Sequence, residues 1–197
     1  MQMFLDGTGH DSLSGSSIPV YNPATGEVID TVPAGNADDV AAAVTAAEIA
    51  QKKWERVSPA DKSRILIAAG ALIRSEADAL ATLLTTEQGK PFREAKDEIL
   101  GTAHVFEYYA SMTGTIQGDA AVLPKYGYMN VVRKPLGVCG AIVPWNMPAI
   151  IFGWKAGAAL ACGNAVIAKP SETAPLTVLR LAELLVKAGV PGGAMNV

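Results

Sequence analysis

The chain has 197 residues, of which 50% are hydrophobic and 18% are charged, and its 16 basic and 19 acidic side chains leave a net charge of −3. This composition excludes a disordered chain, and it argues against a nucleic-acid partner, because binding phosphates needs a basic excess. The two cysteines, Cys139 and Cys162, are too few for a disulfide scaffold or a cysteine-based metal site, so we expect no metal.

The N-terminal 35 residues are rich in turn residues and have a strand-like pattern. Apolar runs on both sides of Asn22, Pro23 and Gly26 predict two strands joined by a turn. Because the connection is short, we expect a β-hairpin at the start of the chain.

Residues 36–113 predict four amphipathic helices, because hydrophobic residues recur there at spacings of three and four. The residues predicted to mark their starts are Asn36, Ser58 and Ser75 as caps, and Pro91 before the fourth helix. Gly89 suits the end of the third helix. The side chains predicted to face the core are Val40, Val44, Ala47, Ile65, Ala69, Leu72, Leu80, Leu83, Leu84, Ile99, Ala103, Phe106 and Ala110.

The pattern changes at residue 114, where glycines and prolines surround the β-favouring run "YMNVV". We predict an extended arm or a hairpin strand here. Such an arm protrudes from a compact body and often pairs with another subunit through its free edge.

From Gly137 the sequence predicts a βαβαβ unit. The nearly continuous apolar runs "VCGAIV" and "NAVIAK" predict strands that are buried on both faces. Helices are expected over residues 148–161 and 175–188, the second capped by Thr173 or Ala174, and "AMNV" begins a third strand. The fold class is therefore α/β, with one mononucleotide-binding half of a doubly wound parallel sheet.

The longest apolar stretch, residues 139–163, is interrupted by Pro144, Asn146, Pro148 and Lys155. We therefore expect no membrane span. The first ten residues lack the basic and long apolar regions of a signal peptide, so a cytoplasmic location is the expectation.

The segment "PWNMP" follows the first predicted strand of this unit, at the edge of the sheet where ligands bind. Pro144 and Pro148 restrict the backbone on either side of Asn146, whose side-chain amide is a neutral hydrogen-bond donor. A donor held at a helix N-terminus can stabilise an oxyanion. The alternative is that Asn146 only satisfies backbone groups in the turn, as asparagines commonly do.

The segment "KPSE" follows the second strand of the unit. Dinucleotide-binding folds commonly place an acidic residue here, where it accepts hydrogen bonds from the adenosine ribose. Lys169 and Glu172 could both bind that diol, or they could form a solvated ion pair of little energetic value. No glycine-rich phosphate loop is present, so a dinucleotide would bind without the usual glycine fingerprint.

Four other side chains are weaker candidates for chemistry. Cys139 lies within a strand and Cys162 near the end of an apolar helix, so we expect both to be buried and unreactive. His10 and His104 match no ligand pattern.

Three contiguous blocks, "GVCGAIVPWNMP", "WKAGAALACGNAVIAKPSETAPL" and "AGVPGGAMNV", resemble the aldehyde dehydrogenase superfamily. The upstream segments "YNPATGEVI" and "EQGKP" are similar to the N-terminal pattern of the same family. The resemblance covers essentially the whole chain. It implies an atypical Rossmann-like sheet, here with only its βαβαβ part, preceded by an N-terminal hairpin and helices and joined to an oligomerisation arm.

The resemblance implies a role for each matching residue. Asn146 matches the asparagine that stabilises the oxyanion, and Lys169 and Glu172 match the residues that hold the adenosine ribose, with the glutamate typical of NAD-preferring members. The remaining matches are Val143, Pro144 and Trp145, which would line the cofactor cleft, and Met147 and Trp154, which would lie at the aldehyde tunnel.

The resemblance also implies a domain division. Residues 1–116 would be the hairpin and helical part of the NAD-binding domain, residues 117–135 the oligomerisation arm, and residues 136–197 the first βαβαβ of the NAD-binding domain. The partners implied are an aldehyde, NAD and further copies of the subunit, as a homo-oligomer when the protein is full length.

The implied reaction is oxidation of an aldehyde to a carboxylic acid through a cysteine thiohemiacetal and a thioester. Neither cysteine of this chain lies in the nucleophile's motif, and the general-base glutamate of the family is not in this sequence. We expect the chain to be the N-terminal part of a longer enzyme and to be inactive alone. The alternatives are a non-catalytic nucleotide-binding module or an assembly module derived from that family.

Overall fold

The computed structural model describes all of residues 1–197. Its strands are β1 (Met3–Leu5), β2 (Thr8–His10), β3 (Ser17–Tyr21), β4 (Val28–Pro33), β5 (Ala120–Leu123), β6 (Gly127–Asn130), β7 (Val138–Ile142), β8 (Ala165–Lys169) and β9 (Met195–Asn196). Its helices are α1 (Ala37–Trp54), α2 (Pro59–Ser75), α3 (Ala77–Gln88), α4 (Phe92–Met112), α5 (Pro148–Ala161) and α6 (Leu176–Lys187). A short 3-10 turn, Gly192–Ala194, precedes β9.

The N-terminal region contains two antiparallel hairpins, β1–β2 and β3–β4, rather than one. The second is the predicted hairpin. The first turns at Asp6 and Gly7, whose φ angles of 48° and 82° are the left-handed geometry of a two-residue hairpin turn. Gly7 also packs against Gly192, because a Cβ there would lie 3.2 Å from the Gly192 Cα.

Helices α1 and α2 begin directly after their predicted caps, Asn36 and Ser58. The Asn36 side chain accepts hydrogen bonds from the Asp38 and Asp39 amides, and the Ser58 hydroxyl accepts one from the Asp61 amide. The predicted cap at Ser75 is wrong, since Ser75 is the last residue of α2. Its hydroxyl donates back to the Leu72 carbonyl at 2.8 Å, so it completes the turn behind it instead of starting α3.

Most of the predicted core positions of the helices are buried, including Ile99, Phe106 and Ala110 of α4. Val44, Ile65, Leu72 and Leu83 are half-buried, and Val40 alone is exposed, with 55% of its surface accessible. It lies in the first turn of α1 and lines an open groove, so its apolar side chain faces a cavity rather than the core.

The predicted arm is a β-hairpin formed by β5 and β6. Strand β6 ends at Asn130, two residues before the predicted end of the "YMNVV" run. Tyr126 and Tyr128 are more than four-fifths exposed, so the hairpin projects from the body of the molecule.

The last part of the chain is a parallel sheet with the strand order β7–β8–β9, in which α5 and α6 connect successive strands. This confirms the α/β class and the βαβαβ unit. The outer edge of β9 is covered in part, because Phe4 and Val197 exchange backbone hydrogen bonds of 2.8 and 2.9 Å.

The expectation that β7 is buried on both faces is wrong. Ala141 and Val143 are buried on one face, whereas Gly140 and Ile142 are exposed on the other, and Ile142 has 75% of its surface exposed. The cause is that β7 is an edge strand whose second face no helix covers at its carboxyl end.

A single hydrophobic core joins the helices to the sheet. The Trp54 indole donates to the Leu160 carbonyl at 3.0 Å, and the rings of Phe106 and Phe152 meet edge to face at 6.5 Å. These contacts fix α1 and α4 against α5. None of the helices is both long and apolar enough to cross a bilayer.

Candidate functional site

The segments "PWNMP" and "KPSE" lie side by side at the carboxyl edge of the parallel sheet. Ile142 pairs in register with Lys169, and the Val143 amide donates to the Lys169 carbonyl at 3.0 Å. Ligands of open α/β sheets bind at this edge. The structure therefore brings together the two segments that the sequence singled out separately.

Asn146 lies in an exposed turn between β7 and α5. Val143 is buried at the start of this turn, and Trp145, Asn146 and Met147 are exposed. The Asn146 backbone carbonyl accepts a hydrogen bond of 3.0 Å from the Lys90 ammonium, but its side chain takes part in none of the hydrogen bonds of the turn. The side-chain amide is thus free to donate to a ligand.

The N-terminus of α5 is capped by a residue from another helix. The residue before α5, Met147, makes no side-chain cap. Instead, the buried Glu98 of α4 accepts hydrogen bonds from the Ala149 and Ile150 amides at 2.9 and 3.2 Å. Its other carboxylate oxygen pairs with the Lys90 ammonium.

Helix α6 is capped in the same way. Pro175 provides no side-chain cap, and the buried Glu87 of α3 accepts from the Leu176 and Thr177 amides at 2.7 and 2.9 Å. Burial raises the pKa of Glu87 to about 7, although these hydrogen bonds oppose the rise, and the nearby charge of Glu98 adds to it.

These two caps agree with the absence of a glycine fingerprint. In the usual dinucleotide fold, glycines let the pyrophosphate approach the free amides at the N-terminus of a crossover helix. Here Glu98 and Glu87 already occupy the amides of α5 and α6. A phosphate at either helix start would have to displace the carboxylate that holds these amides, so neither start offers free amides to a pyrophosphate.

Lys169 and Glu172 stand at one end of an open groove of about 470 Å³. Its walls are largely apolar, a volume and a lining that suit a small-molecule ligand. Hydrophobic residues on the walls are Leu5, Ile18, Val40, Ile167, Leu179 and Val197.

The Lys169 ammonium lies 3.4 Å from the Glu172 carboxylate, and both side chains are more than three-fifths exposed. Glu172's own backbone amide, and then the Lys169 charge, hold the pKa of the Glu172 carboxyl below its usual range. The carboxylate is thus ionised and accessible at neutral pH, and an exposed pair of this kind is weak enough to open for a ligand.

The remaining candidate side chains lie in β7 and in or next to α5. Met147 precedes α5 and Trp154 lies in its second turn, and both side chains are exposed. The expectation that both cysteines are buried is wrong for Cys162, which is exposed because it lies just past the end of α5. Cys139 is half-buried, and burial raises the pKa of its thiol.

The sequence did not predict Glu87, Lys90 and Glu98 as parts of this site. One signal was present, because Glu87 and Glu98 occupy the buried stripes of α3 and α4, where an unpaired carboxylate is rare. The other signal was the absence of a capping side chain at the starts of α5 and α6.

The aldehyde dehydrogenase family model matches residues 10–197. Three solved structures illustrate the similarity. An NADP-dependent enzyme of E. coli is 39% identical with a TM-score of 0.95, and the alignment covers 100% of this chain and 41% of that one. Succinate-semialdehyde dehydrogenase of Burkholderia pseudomallei is 38% identical with a TM-score of 0.96, and the alignment covers 100% of this chain and 41% of that one. The NAD-dependent aldehyde dehydrogenase of Sinorhizobium meliloti is 39% identical with a TM-score of 0.94, and the alignment covers 100% of this chain and 40% of that one.

This chain thus spans about two-fifths of the length of the solved structures that it matches. The match extends over the helices, the arm and the parallel sheet, and it agrees with the motifs read from the sequence. The chain belongs to the aldehyde dehydrogenase family.

Proposed function

We propose that this chain is the N-terminal part of an NAD-dependent enzyme that oxidises an aldehyde to a carboxylic acid. The observation that carries the proposal is the meeting of "PWNMP" and "KPSE" at one sheet edge, joined by the hydrogen bond from Val143 to Lys169. This arrangement sets a free amide donor and an accessible carboxylate along one ligand-binding edge.

Asn146 stabilises the oxyanion in this proposal. When a cysteine thiolate attacks the aldehyde carbonyl, the C–S bond forms and the carbonyl oxygen takes the electron pair and a negative charge. The exposed side-chain amide of Asn146 donates to that oxygen. The thiolate comes from outside these 197 residues, because Cys139 lies within β7 with a raised pKa and Cys162 lies at the opposite end of α5 from Asn146.

Glu172 and Lys169 hold the adenosine ribose, with Val143, Pro144 and Trp145 along the cleft. When bound, NAD accepts the hydride that leaves the substrate carbon. The solved relatives include one described as NAD-dependent and one as NADP-dependent. We favour NAD because the Glu172 carboxylate accepts from two ribose hydroxyls but repels a phosphate at the same place.

Met147 and Trp154 lie along the path of the aldehyde in this proposal. Met147 directly follows Asn146 in the turn before α5, and Trp154 is exposed in the second turn of that helix. An apolar wall at this point would suit an aldehyde whose carbonyl is directed at the Asn146 amide.

We further propose that residues 1–116 and 136–197 together form the NAD-binding domain and that residues 117–135 form an oligomerisation arm of a cytoplasmic homo-oligomer. The exposed tyrosines and valines of the β5–β6 hairpin support the role of the arm. The same hairpin favours the second candidate function, a non-catalytic assembly module derived from the family.

The test is aldehyde-dependent formation of NADH by the longer protein of which this chain is a part. We expect turnover with some member of a panel of aldehydes, and no turnover by the 197-residue chain alone. In the longer protein, Cys139→Ser and Cys162→Ser should each leave turnover intact. The proposal is overturned if the folded longer protein reduces no NAD with any aldehyde, or if either serine variant abolishes turnover.

A further inference from the structure

The connection between α3 and α4 reaches both functional segments at once. This connection carries the sequence "EQGKP", to which the proposed function gives no role. Glu87, at its start, caps α6 just after "KPSE". Lys90, three residues later, contacts the Asn146 turn.

The Lys90 side chain is only 14% exposed and has two polar partners. Its ammonium donates to the Asn146 backbone carbonyl at 3.0 Å and pairs with the Glu98 carboxylate. Glu98 has 2% side-chain exposure and is itself fixed by the amides of Ala149 and Ile150. The position of Lys90 is therefore set by the first turn of α5, the helix that begins directly after the Asn146 turn.

Other restraints on the turn leave its centre free. Pro144 and Pro148 fix one backbone dihedral each at its two sides, and of Trp145, Asn146 and Met147 between them only Met147 is restricted further, by the following proline and by a hydrogen bond to its carbonyl. The hydrogen bond from Lys90 falls on the middle of these three residues. Because a carbonyl shares its peptide plane with the Cα of its own residue, this bond limits movement of the Asn146 Cα, from which the side chain extends.

We propose that Lys90 is a positioning residue, which holds the Asn146 backbone so that the side-chain amide stays directed at the developing oxyanion. The proposal rests on the oxyanion role of Asn146. It makes the connection between α3 and α4 part of the catalytic geometry, although Lys90 itself touches no substrate.

The expected effect is on kcat rather than on binding. A displacement of the donor by about 1 Å costs on the order of 100-fold in rate, so Lys90→Met should lower kcat by about 10- to 100-fold. The Kd for NAD and the KM for the aldehyde should change by less than about threefold. Lys90→Arg retains a cation and should have a kcat closer to that of the parent than Lys90→Met has.

The matched control is Lys96→Met. Lys96 lies on α4 and pairs with Asp78 at 2.6 Å on the surface, so its loss should leave kcat unchanged. If Lys90→Met fails to fold because Glu98 is left as an unpaired buried charge, the double variant Lys90→Met with Glu98→Gln replaces it. This variant removes both charges and keeps an oxygen to accept from the α5 amides.

The decisive experiment is a double-mutant cycle in the longer enzyme between Lys90→Met and Asn146→Ala. If Lys90 acts through Asn146, Lys90→Met should lower kcat by less than about twofold once Asn146 is alanine. The proposal is overturned if the fold loss in kcat of the double variant equals the product of the two single losses. It is also overturned if Lys90→Met has an unchanged kcat while Asn146→Ala has a lowered one. An unchanged kcat in Asn146→Ala would instead overturn the oxyanion role, and with it the proposed function.

Discussion

Asn146, Lys169 and Glu172 are exposed side chains whose positions are set by the backbone around them. Asn146 follows an edge strand, whereas Lys169 ends the central strand of the parallel sheet and Glu172 follows it. An exposed asparagine or an exposed Lys–Glu pair does not by itself indicate a functional site. What distinguishes these three is that one backbone hydrogen bond, from Val143 to Lys169, brings their segments together.

Glu172 should determine the cofactor preference of the longer enzyme. NADP places a phosphate where NAD has a ribose hydroxyl, and two anions about 4 Å apart repel by about 4 kcal/mol at an effective dielectric of about 20. Lys169 offsets part of this repulsion, so we expect NAD to be preferred by roughly 10- to 1,000-fold in kcat/KM.

The test is kcat/KM for both cofactors in the parent and in Glu172→Ser. The serine variant should use NADP better and NAD worse, which shifts the ratio toward NADP. Glu183→Ser serves as the control, because Glu183 pairs with Arg180 on α6. An unchanged ratio in Glu172→Ser would show that Glu172 does not bind the ribose.

Helices α5 and α6 both begin without a cap of their own and receive one from the helical region. Glu98 lies 51 residues before its nearest amide partner, and Glu87 lies 89 residues before its own. At the scale of elements, the helical region therefore does more than pack against the sheet. It neutralises the partial positive charge at the helix starts and fixes where each helix begins.

Glu87 should make the stability of the chain depend on pH. Its pKa rises from an ordinary 4.5 to about 7 on folding, so the folded state binds more protons than the unfolded state between these values. The stabilisation is complete below pH 4.5 and is lost as pH rises through 7, by on the order of 3 kcal/mol. Carboxyls with lowered pKa, such as Asp30 and Glu107, act in the opposite direction but at lower pH.

The measurement is the urea concentration at half-unfolding of the longer protein, followed by tryptophan fluorescence from pH 5 to pH 8. The parent should lose stability as pH rises, and Glu87→Gln should have a flatter profile because the amide does not titrate. Glu94→Gln, at an exposed position in the first turn of α4, should keep the parent profile. Parallel profiles for the parent and Glu87→Gln would contradict this account.

Sequence patterns predicted the elements whose signals are local. Pro148 marks the start of α5, and caps at Asn36 and Ser58 mark the starts of α1 and α2, as the structure has them. The turn of the first hairpin also has a local signal, the Asp6–Gly7 pair, which the sequence analysis did not use.

The contacts that complete the site could not be predicted in this way. The pairing of Lys90 with Glu98 and with Asn146 depends on how α4 packs against α5, which no periodicity specifies. The exposure of Ile142 has the same origin, because an apolar strand residue does not reveal whether a helix covers its face. Local patterns thus led to the candidate residues Asn146, Lys169 and Glu172, whose roles stay predictions, but not to Lys90 and Glu98 beside them.

At the scale of the whole molecule, apolar surface is open in three places. These are the hairpin arm, the outer face of β7 at Ile142 and the groove beside Val40. Exposed apolar side chains favour association, and a free strand edge adds backbone groups that can pair.

The 197-residue chain should therefore self-associate and bind a hydrophobic dye when it is produced alone. Analytical ultracentrifugation over a range of concentrations measures the association, and Tyr126→Lys with Tyr128→Lys in the arm should reduce it. A chain that stays monomeric at high concentration, binds no dye and unfolds in one sharp transition would contradict this prediction.

The central claim is that Asn146 donates to the oxyanion of an aldehyde oxidation, and the kinetics of Asn146→Ala in the longer enzyme test it most directly. Loss of one such donor lowers kcat by roughly 100- to 1,000-fold, and the Kd for NAD should stay within about threefold of the parent. Asn22→Ala, which removes a turn asparagine from the β3–β4 hairpin, provides the control with unchanged kcat. Equal losses in NAD binding and in kcat, or no loss in kcat, would contradict the account.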